Sequence, residues 1–192
     1  MPQLLSVQTG LARRIKIGER SILTGYGKQA VSGDVPVMPL GLLGDEQADL
    51  SIHGGLEKAV YAYPSEHYAY WQTARRESGV GLIDDSLPHG ALGENLTLQG
   101  LLETGVWAGD VLKFPSCALR VTLPREPCYK FSAVMGFAQA SKLMAQTGFC
   151  GFYLAVANPG TLSAGDVFEV IPGRRSVSIP ALFAVKRAKH LR

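Results

Sequence analysis

Cys128 has the setting of a working thiol. It lies in Leu-Pro-Arg-Glu-Pro-Cys-Tyr-Lys-Phe, residues 123–131, where Pro124 and Pro127 stiffen the approach and Arg125 and Lys130 lie within three residues of the sulfur. A neighbouring cation favours thiolate over thiol, and the thiolate is the form that binds a metal or attacks an electrophile. Cys117 (Pro-Ser-Cys-Ala-Leu) and Cys150 (Gly-Phe-Cys-Gly-Phe) sit among apolar neighbours and read as packing residues. The 3 cysteines are odd in number and never spaced CxxC, so neither a disulfide framework nor a structural zinc site is expected, and a reducing cytoplasm fits best.

Three further segments combine glycines with polar groups. In 41–49, Gly-Leu-Leu-Gly-Asp-Glu-Gln-Ala-Asp, two glycines bracket a turn that carries Asp45, Glu46 and Asp49. In 53–58, His53 precedes Gly54 and Gly55, whose freedom at positive φ lets backbone N–H groups approach an anion, and Lys58 adds a point charge. In 93–98, Asn95 offers donor and acceptor beside a glycine turn. Taken alone, each is also what an ordinary surface turn looks like. Cys128 and His53 are the residue types of a thiolate–imidazolium nucleophile pair, and sequence alone does not bring them together. No GxSxG, GxxxxGK[ST], GxGxxG or HExxH pattern occurs, which argues against a nucleophile elbow, a nucleotide loop and a zincin helix. His67 is expected on a helix surface, His89 in a loop and His190 at the terminus.

The elements that must position these groups are short. Glycine (22 residues) and proline (11) are spread along the 192-residue chain, which leans toward many turns and a β-rich fold. Strands are expected at 4–9, 11–17, 58–64, 93–100, 111–124 with a break near Pro115, within 149–160 as strand and turn, and at 164–173. Segment 18–50 reads as loop with short edge strand. A helix is expected over 65–77 with Ser65 as N-cap, another over 132–147 with Val134, Phe137, Ala138, Leu143 and Met144 inward, and a last one over 180–190. Strands do not alternate regularly with helices, so the expected architecture is mostly β (α+β): a closed or nearly closed β-barrel with two or three outer helices.

Composition excludes several classes. Apolar residues are 46% and charged residues 18%, as in an ordinary globular protein, and no apolar run of about 18 residues is present to span a membrane. The N-terminus lacks the pattern of a secretory signal. A net charge of +3 demands no nucleic acid, and the basic C-terminal stretch reads as a solvated helix face.

Taken together and in order, the four segments resemble the MOSC domain, more closely its bacterial YiiM-type branch, over about residues 35–171. The resemblance implies a MOSC β-barrel over 1–175 and a helical extension over 176–192, shorter than the three-helix domain usual in that branch. It implies binding of the molybdenum cofactor, with Cys128 as protein ligand to molybdenum and as catalytic residue. It also implies reduction of N-hydroxylated compounds such as N-hydroxylated purine bases, in detoxification, with electrons from an external reductase of flavin or ferredoxin type. At family level it carries pyridoxal phosphate binding as well. On this reading Arg125, Lys130 and Lys58 meet the cofactor's anionic groups, and Gly54 and Gly55 present backbone donors to its phosphate. Asn95 reads the pterin edge, and His53 donates to a cofactor oxygen or to the substrate hydroxyl as it leaves as water. A homodimer is allowed. Two alternatives stay open: a cofactor or sulfur carrier without turnover, and a cysteine-nucleophile enzyme.

Overall fold

The computed structural model describes residues 1–17, 19–48, 54–81 and 86–187. His53, Asp49 and His190 lie outside them. Eight strands form the main sheet: β1 (Gln3–Thr9), β4 (Gln29–Val31), β7 (Val60–Pro64), β8 (Leu96–Gln99), β9 (Val111–Lys113), β10 (Ala118–Pro124), β11 (Phe152–Asn158) and β13 (Glu169–Ile171), in the order β13-β9-β10-β11-β7-β8-β1-β4. The named pairs are antiparallel except β7 with β8, where Ala62 stands opposite Leu96. A three-stranded sheet joins β12 (Gly160–Leu162), β5 (Val35–Met38) and β6 (Gly41–Leu42), and β2 (Arg13–Ile17) pairs with β3 (Arg20–Thr24) as a separate hairpin. Four helices complete the described chain: α1 (Tyr68–Glu77), α2 (Tyr129–Met135), α3 (Ala140–Thr147) and α4 (Ile179–Arg187).

Strand β7 explains how the two sides of the sheet are divided. All five of its residues are buried, which alternation of side chains turns into two different interiors. Val60 and Ala62 join an aliphatic core with Leu4, Val7, Leu96, Leu119 and Phe152. Tyr61 and Tyr63 face the opposite way and pack with Trp71, Phe131, Met135 and Met144 from the helices. Trp71 is fully buried, donates from Nε1 to the Tyr63 hydroxyl at 2.6 Å, and meets the Phe131 ring edge-on at 5.2 Å. Tyr63 in turn donates to the Phe149 carbonyl at 3.0 Å. Trp71 and Tyr63 thus bury their polar tips with partners, as a low-dielectric interior favours. The candidate site opens on this side.

The expected closed barrel is not found. The ladder is open, with β4 and β13 at its edges. The side of β1 left free near Leu4 is met by residues 163–168, just ahead of β13: Leu4 N–H donates to the Asp166 carbonyl, Gly165 N–H returns to the Leu4 carbonyl, Phe168 N–H donates to the Pro2 carbonyl, and Gln3 stands opposite Val167 in an isolated antiparallel bridge. The turn 163–166 is closed by Ser163 N–H on the Asp166 carboxylate and has Gly165 at φ +97, so contact between β1 and the chain ahead of β13 is limited to this turn and one bridge rather than a continuous ladder.

Local expectations met the tertiary structure with mixed results. Segment 18–50 holds the second strand of a hairpin, β3, besides the short strands. The single helix over 132–147 is two helices, because Gly136 at φ +83 caps α2 in the left-handed region, leaving Ala138 exposed. Ser65 makes no capping bond; it opens a 3-10 turn, Ser65–His67, ahead of α1. That turn swings His67 inward, against the expectation of a surface residue. His67 is 6% exposed, stacks on Phe149 at 3.8 Å and pairs through Nε2 with Glu103 Oε2 at 2.8 Å. Tyr68, Trp71 and Ala74 lie buried along one face of α1. Helix α4 packs on the sheet by burying Ile179 and Phe183.

Burial also sets the alkaline limit of the fold. Desolvation pushes the Cys117 thiol up to about 12, with Asp166 adding to it, and raises Cys150, Tyr61 and Tyr63 well above their ordinary range. For acids that stay neutral when folded, the unfolded chain releases its protons first. Stability is therefore complete below the unfolded thiol value of 9.0 and falls as pH rises above it. Urea midpoints are expected to be level near neutrality and to drop steadily above pH 9; a midpoint unchanged to pH 11 would show that these groups are not buried acids.

Candidate functional site

A cavity of about 90 Å³ opens where six parts of the chain converge. The turn between β3 and β4 brings Tyr26 and Lys28, and the segment after β6 brings Asp45, Glu46 and Gln47. Lys58 and Tyr61 come from the start of β7, Asn95 from the entry to β8, and Arg125, Cys128 and Lys130 from the link between β10 and α2. Tyr153 of β11 closes the wall. Segments far apart in sequence, each resembling a turn on its own, thus meet on one surface. Among the described residues its charged side chains are four cations and two carboxylates, which suits an anionic ligand.

Cys128 holds the position just before α2 in extended backbone, φ −143 and ψ 161. It is half-buried, and its carbonyl accepts from Phe131 N–H at 2.9 Å and from Ser141 Oγ at 2.6 Å. These bonds fix the Cα–Cβ direction of the thiol on the pocket wall. Cys117 and Cys150 are 4% and 1% exposed, as expected of packing residues. A thiol reagent is therefore expected to modify one sulfur in the native protein, Cys128, with the other two reacting only after denaturation. Mass mapping of the labelled peptide checks this, and native labelling at Cys150 would contradict it.

Arg125 is 6% exposed. Its guanidinium lies over the rings of Tyr61 at 4.9 Å, Tyr26 at 5.1 Å and Phe131 at 5.3 Å, and donates to the Leu92 carbonyl at 2.5 Å. Among the described residues it forms no ion pair with a carboxylate. A desolvated cation held by π faces and one carbonyl keeps much of its field for a ligand. The buried Tyr26 hydroxyl beside it has no hydrogen-bond partner among the described residues. Lys130 donates from Nζ to the Leu23 carbonyl at 3.0 Å, tying the β2–β3 hairpin to the rim, and Lys58 lies 5.7 Å over the Tyr153 ring.

Asp45 organises the opposite wall. It forms an ion pair with Lys28, both side chains under 10% exposed. Its Oδ1 also accepts from Gly10 N–H at 3.0 Å, and its Oδ2 from Asn95 Nδ2 at 2.9 Å. Asn95 gives its other N–H to the Gln8 carbonyl and accepts from Tyr61 N–H at 3.1 Å. The paired hydrogen bonds expected of Asn95 toward a ligand are thus made within the protein, and its place is that of a brace between β1, β7 and Asp45.

A second brace is Gln47. Its Oε1 accepts from Gly55 N–H at 2.9 Å, and its Nε2 reaches the carbonyls of Leu40, Lys58 and Ala59 at 3.0–3.3 Å. A Cβ on Gly54 would fall 2.2 Å from Gln47 Oε1, and Gly55 sits at φ +85. These glycines are needed for a close approach, as expected, but the approach is to Gln47, which takes the Gly55 donor.

Sequence reasoning had found Lys58, Asn95, Arg125, Cys128 and Lys130, which all line the cavity. It missed Tyr26, Lys28, Gln47, Tyr61 and Tyr153 and left Asp45 as a turn acid. Only Lys28, directly after Gly27 (φ +92), carried any local signal, and a glycine–lysine pair is too common to read. Among the described residues no three His, Cys, Asp or Glu groups gather as a metal site. Among the described lining residues Cys128 is the one sulfur donor that could ligate a soft metal. No helix among the described residues is long and apolar enough to cross a membrane.

The model of the MOSC domain matches residues 49–169. YiiM of Escherichia coli is 33% identical over 181 residues, covering 94% of this chain and 77% of its own length. A protein named Reductase from Gibberella moniliformis is 33% identical over 169 residues, 88% of this chain and 29% of that longer protein. The crystal structure of YiiM from Geobacillus stearothermophilus superposes with a TM-score of 0.75 at 27% identity, covering 100% of this chain and 87% of that one. Nothing in these relatives or in the pocket supports pyridoxal phosphate.

Proposed function

The chain belongs to the MOSC domain family, and from that premise we propose that it is an oxidoreductase that reduces N-hydroxylated compounds to amines using a bound molybdenum cofactor. The likeness to YiiM and to a protein named Reductase supports the reaction class. The observation that carries the reading is the pairing, on one pocket wall, of the Cys128 thiol with a buried Arg125 that has no carboxylate partner among the described residues. A soft thiolate suits a sulfur-rich metal centre, and an arginine so placed suits a phosphate. The unpartnered Tyr26 hydroxyl supplies a further polar contact. When bound, the cofactor supplies the two-electron chemistry that removes oxygen from nitrogen.

The chain's own residues bind and orient. Cys128 holds the metal; Arg125, Lys58 and Lys130 neutralise anionic groups; Asp45, Asn95 and Gln47 hold the walls. His53, outside the described residues, remains a proposed donor to a cofactor oxygen. In this reading an external reductase of flavin or ferredoxin type, in the cytoplasm, supplies the electrons that complete the cycle. The test is elemental analysis of protein from a host that makes the cofactor, with reduction of 6-hydroxylaminopurine by a chemical reductant. Molybdenum near one per chain with turnover supports the reading. Molybdenum without turnover makes the protein a carrier, and neither makes it something else.

A further inference from the structure

Lys28 enters the pocket wall from the turn before β4, with its side chain 7% exposed. Its ammonium carries three N–H donors. One goes to Asp45, and no second hydrogen bond from it occurs among the described residues. Asp45 cannot swing away, because Gly10 N–H and Asn95 Nδ2 hold both its oxygens. The pair therefore presents a fixed ammonium, with donors to spare, to the cavity that also contains Cys128. Burial lowers the proton affinity of Lys28 below the ordinary lysine range, against the pull of Asp45 and of Glu94. Glu46, Lys58, Arg125 and Lys130 are the other charged groups on the described wall. An ammonium so placed gives up a proton more readily than one in water.

We infer that Lys28 is the general acid that protonates the hydroxyl oxygen of an N-hydroxylated substrate as its N–O bond breaks, an assignment that rests on the reductase reading above. The overall change is R–NH–OH plus two electrons and two protons to R–NH2 plus water. The bonding pair leaves with oxygen, which takes the Lys28 proton and departs as water. The two electrons come from the external reductant and end on nitrogen, which takes its proton from solvent; water at the pocket mouth recharges Lys28. The leaving proton is thereby assigned to Lys28 and not to His53.

The test uses the molybdenum-loaded protein. Lys28→Ala is expected to keep its molybdenum within about twofold while turnover falls roughly 10²–10³-fold, the usual worth of general acid catalysis. Ethylamine restores at least about tenfold of that loss, and Lys28→Arg, which keeps the charge but holds its proton, stays slow. Full turnover in Lys28→Ala, parallel loss of metal, or full activity in Lys28→Arg overturns the inference, as does a fully loaded His53→Gln variant that loses turnover while Lys28→Ala does not. Should Lys28→Ala fail to fold around an unpaired Asp45, Lys28→Gln, which can still donate to Asp45 but gives up no acidic proton, carries the same expectations for metal content and turnover, without the ethylamine rescue. In the cofactor-free wild type, the Lys28 Nζ resonance is expected to titrate below the ordinary lysine range; titration within that range overturns the assignment without reference to activity. A wild type lacking molybdenum and turnover removes the reductase reading and this inference with it. An active, loaded wild type with an unaffected Lys28→Ala removes the inference alone.

Discussion

Cys128→Ala is expected to bring N-hydroxyl reduction to background and to strip molybdenum from a protein that still folds. The reason is positional. The sulfur is half-buried on the cavity wall, and the bonds that hold residue 128 in place are made by its carbonyl, to Phe131 N–H and Ser141 Oγ. Alanine keeps those bonds and loses only the sulfur, so the cost in stability is about 1 kcal/mol or less. Cys117→Ala and Cys150→Ala remove buried sulfurs from the two cores and are expected to lower the melting temperature more than Cys128→Ala while leaving molybdenum per folded chain unchanged. Elemental analysis and turnover on the folded fraction decide the matter. Equal metal loss in all three variants would mean that the substitutions act through the fold, and retained metal in Cys128→Ala would remove the thiol from the site.

Arg125→Met carries the second large effect. Methionine fills much of the space between the rings of Tyr26, Tyr61 and Phe131 but has no charge. The loss of a charge-assisted contact to a bound anion, roughly 1.5–3 kcal/mol, corresponds to about 10- to 100-fold weaker retention. Two opposed terms act on the fold. The Leu92 carbonyl loses its donor, while a desolvated cation without a carboxylate partner among the described residues is removed. They are of similar size, so the melting temperature is expected to move little compared with the metal content. Arg125→Lys should fall between the two, because a lysine keeps the charge and loses the planar stacking. Full molybdenum occupancy in Arg125→Met would take Arg125 out of ligand binding and leave it as a packing residue.

Much of the local structure was legible because its causes are local. The alternation in Val60–Pro64, the break near Pro115 between β9 and β10, and the glycine ending α3 each follow from the residues in place. The errors share a different cause. Gly136 was read as an interior helix residue because the apolar spacing continued past it; its positive φ split the helix. His67 was read as a surface residue from its polarity, yet Glu103, distant in sequence, offered a buried partner and made its burial affordable. The expected closed barrel is not found, because after the turn 163–166 the chain ahead of β13 meets β1 through a single bridge, Gln3 with Val167, and not a full ladder.

The candidate site divides along the same line. Cys128, Arg125, Lys130, Lys58 and Asn95 could be singled out from the sequence, because each sits in a short segment whose composition is odd for a core. That these segments share one cavity, that Lys28 and Asp45 stand in its wall, and that Asn95 and Gln47 spend their hydrogen bonds on the protein, only the tertiary structure decided. Reactivity follows from what a residue is and what flanks it along the chain. Pairing, burial and the direction of a field depend on which distant strands become neighbours, and the sheet order β11-β7-β8-β1 that brings them together is set by the burial of whole faces, which no short segment encodes.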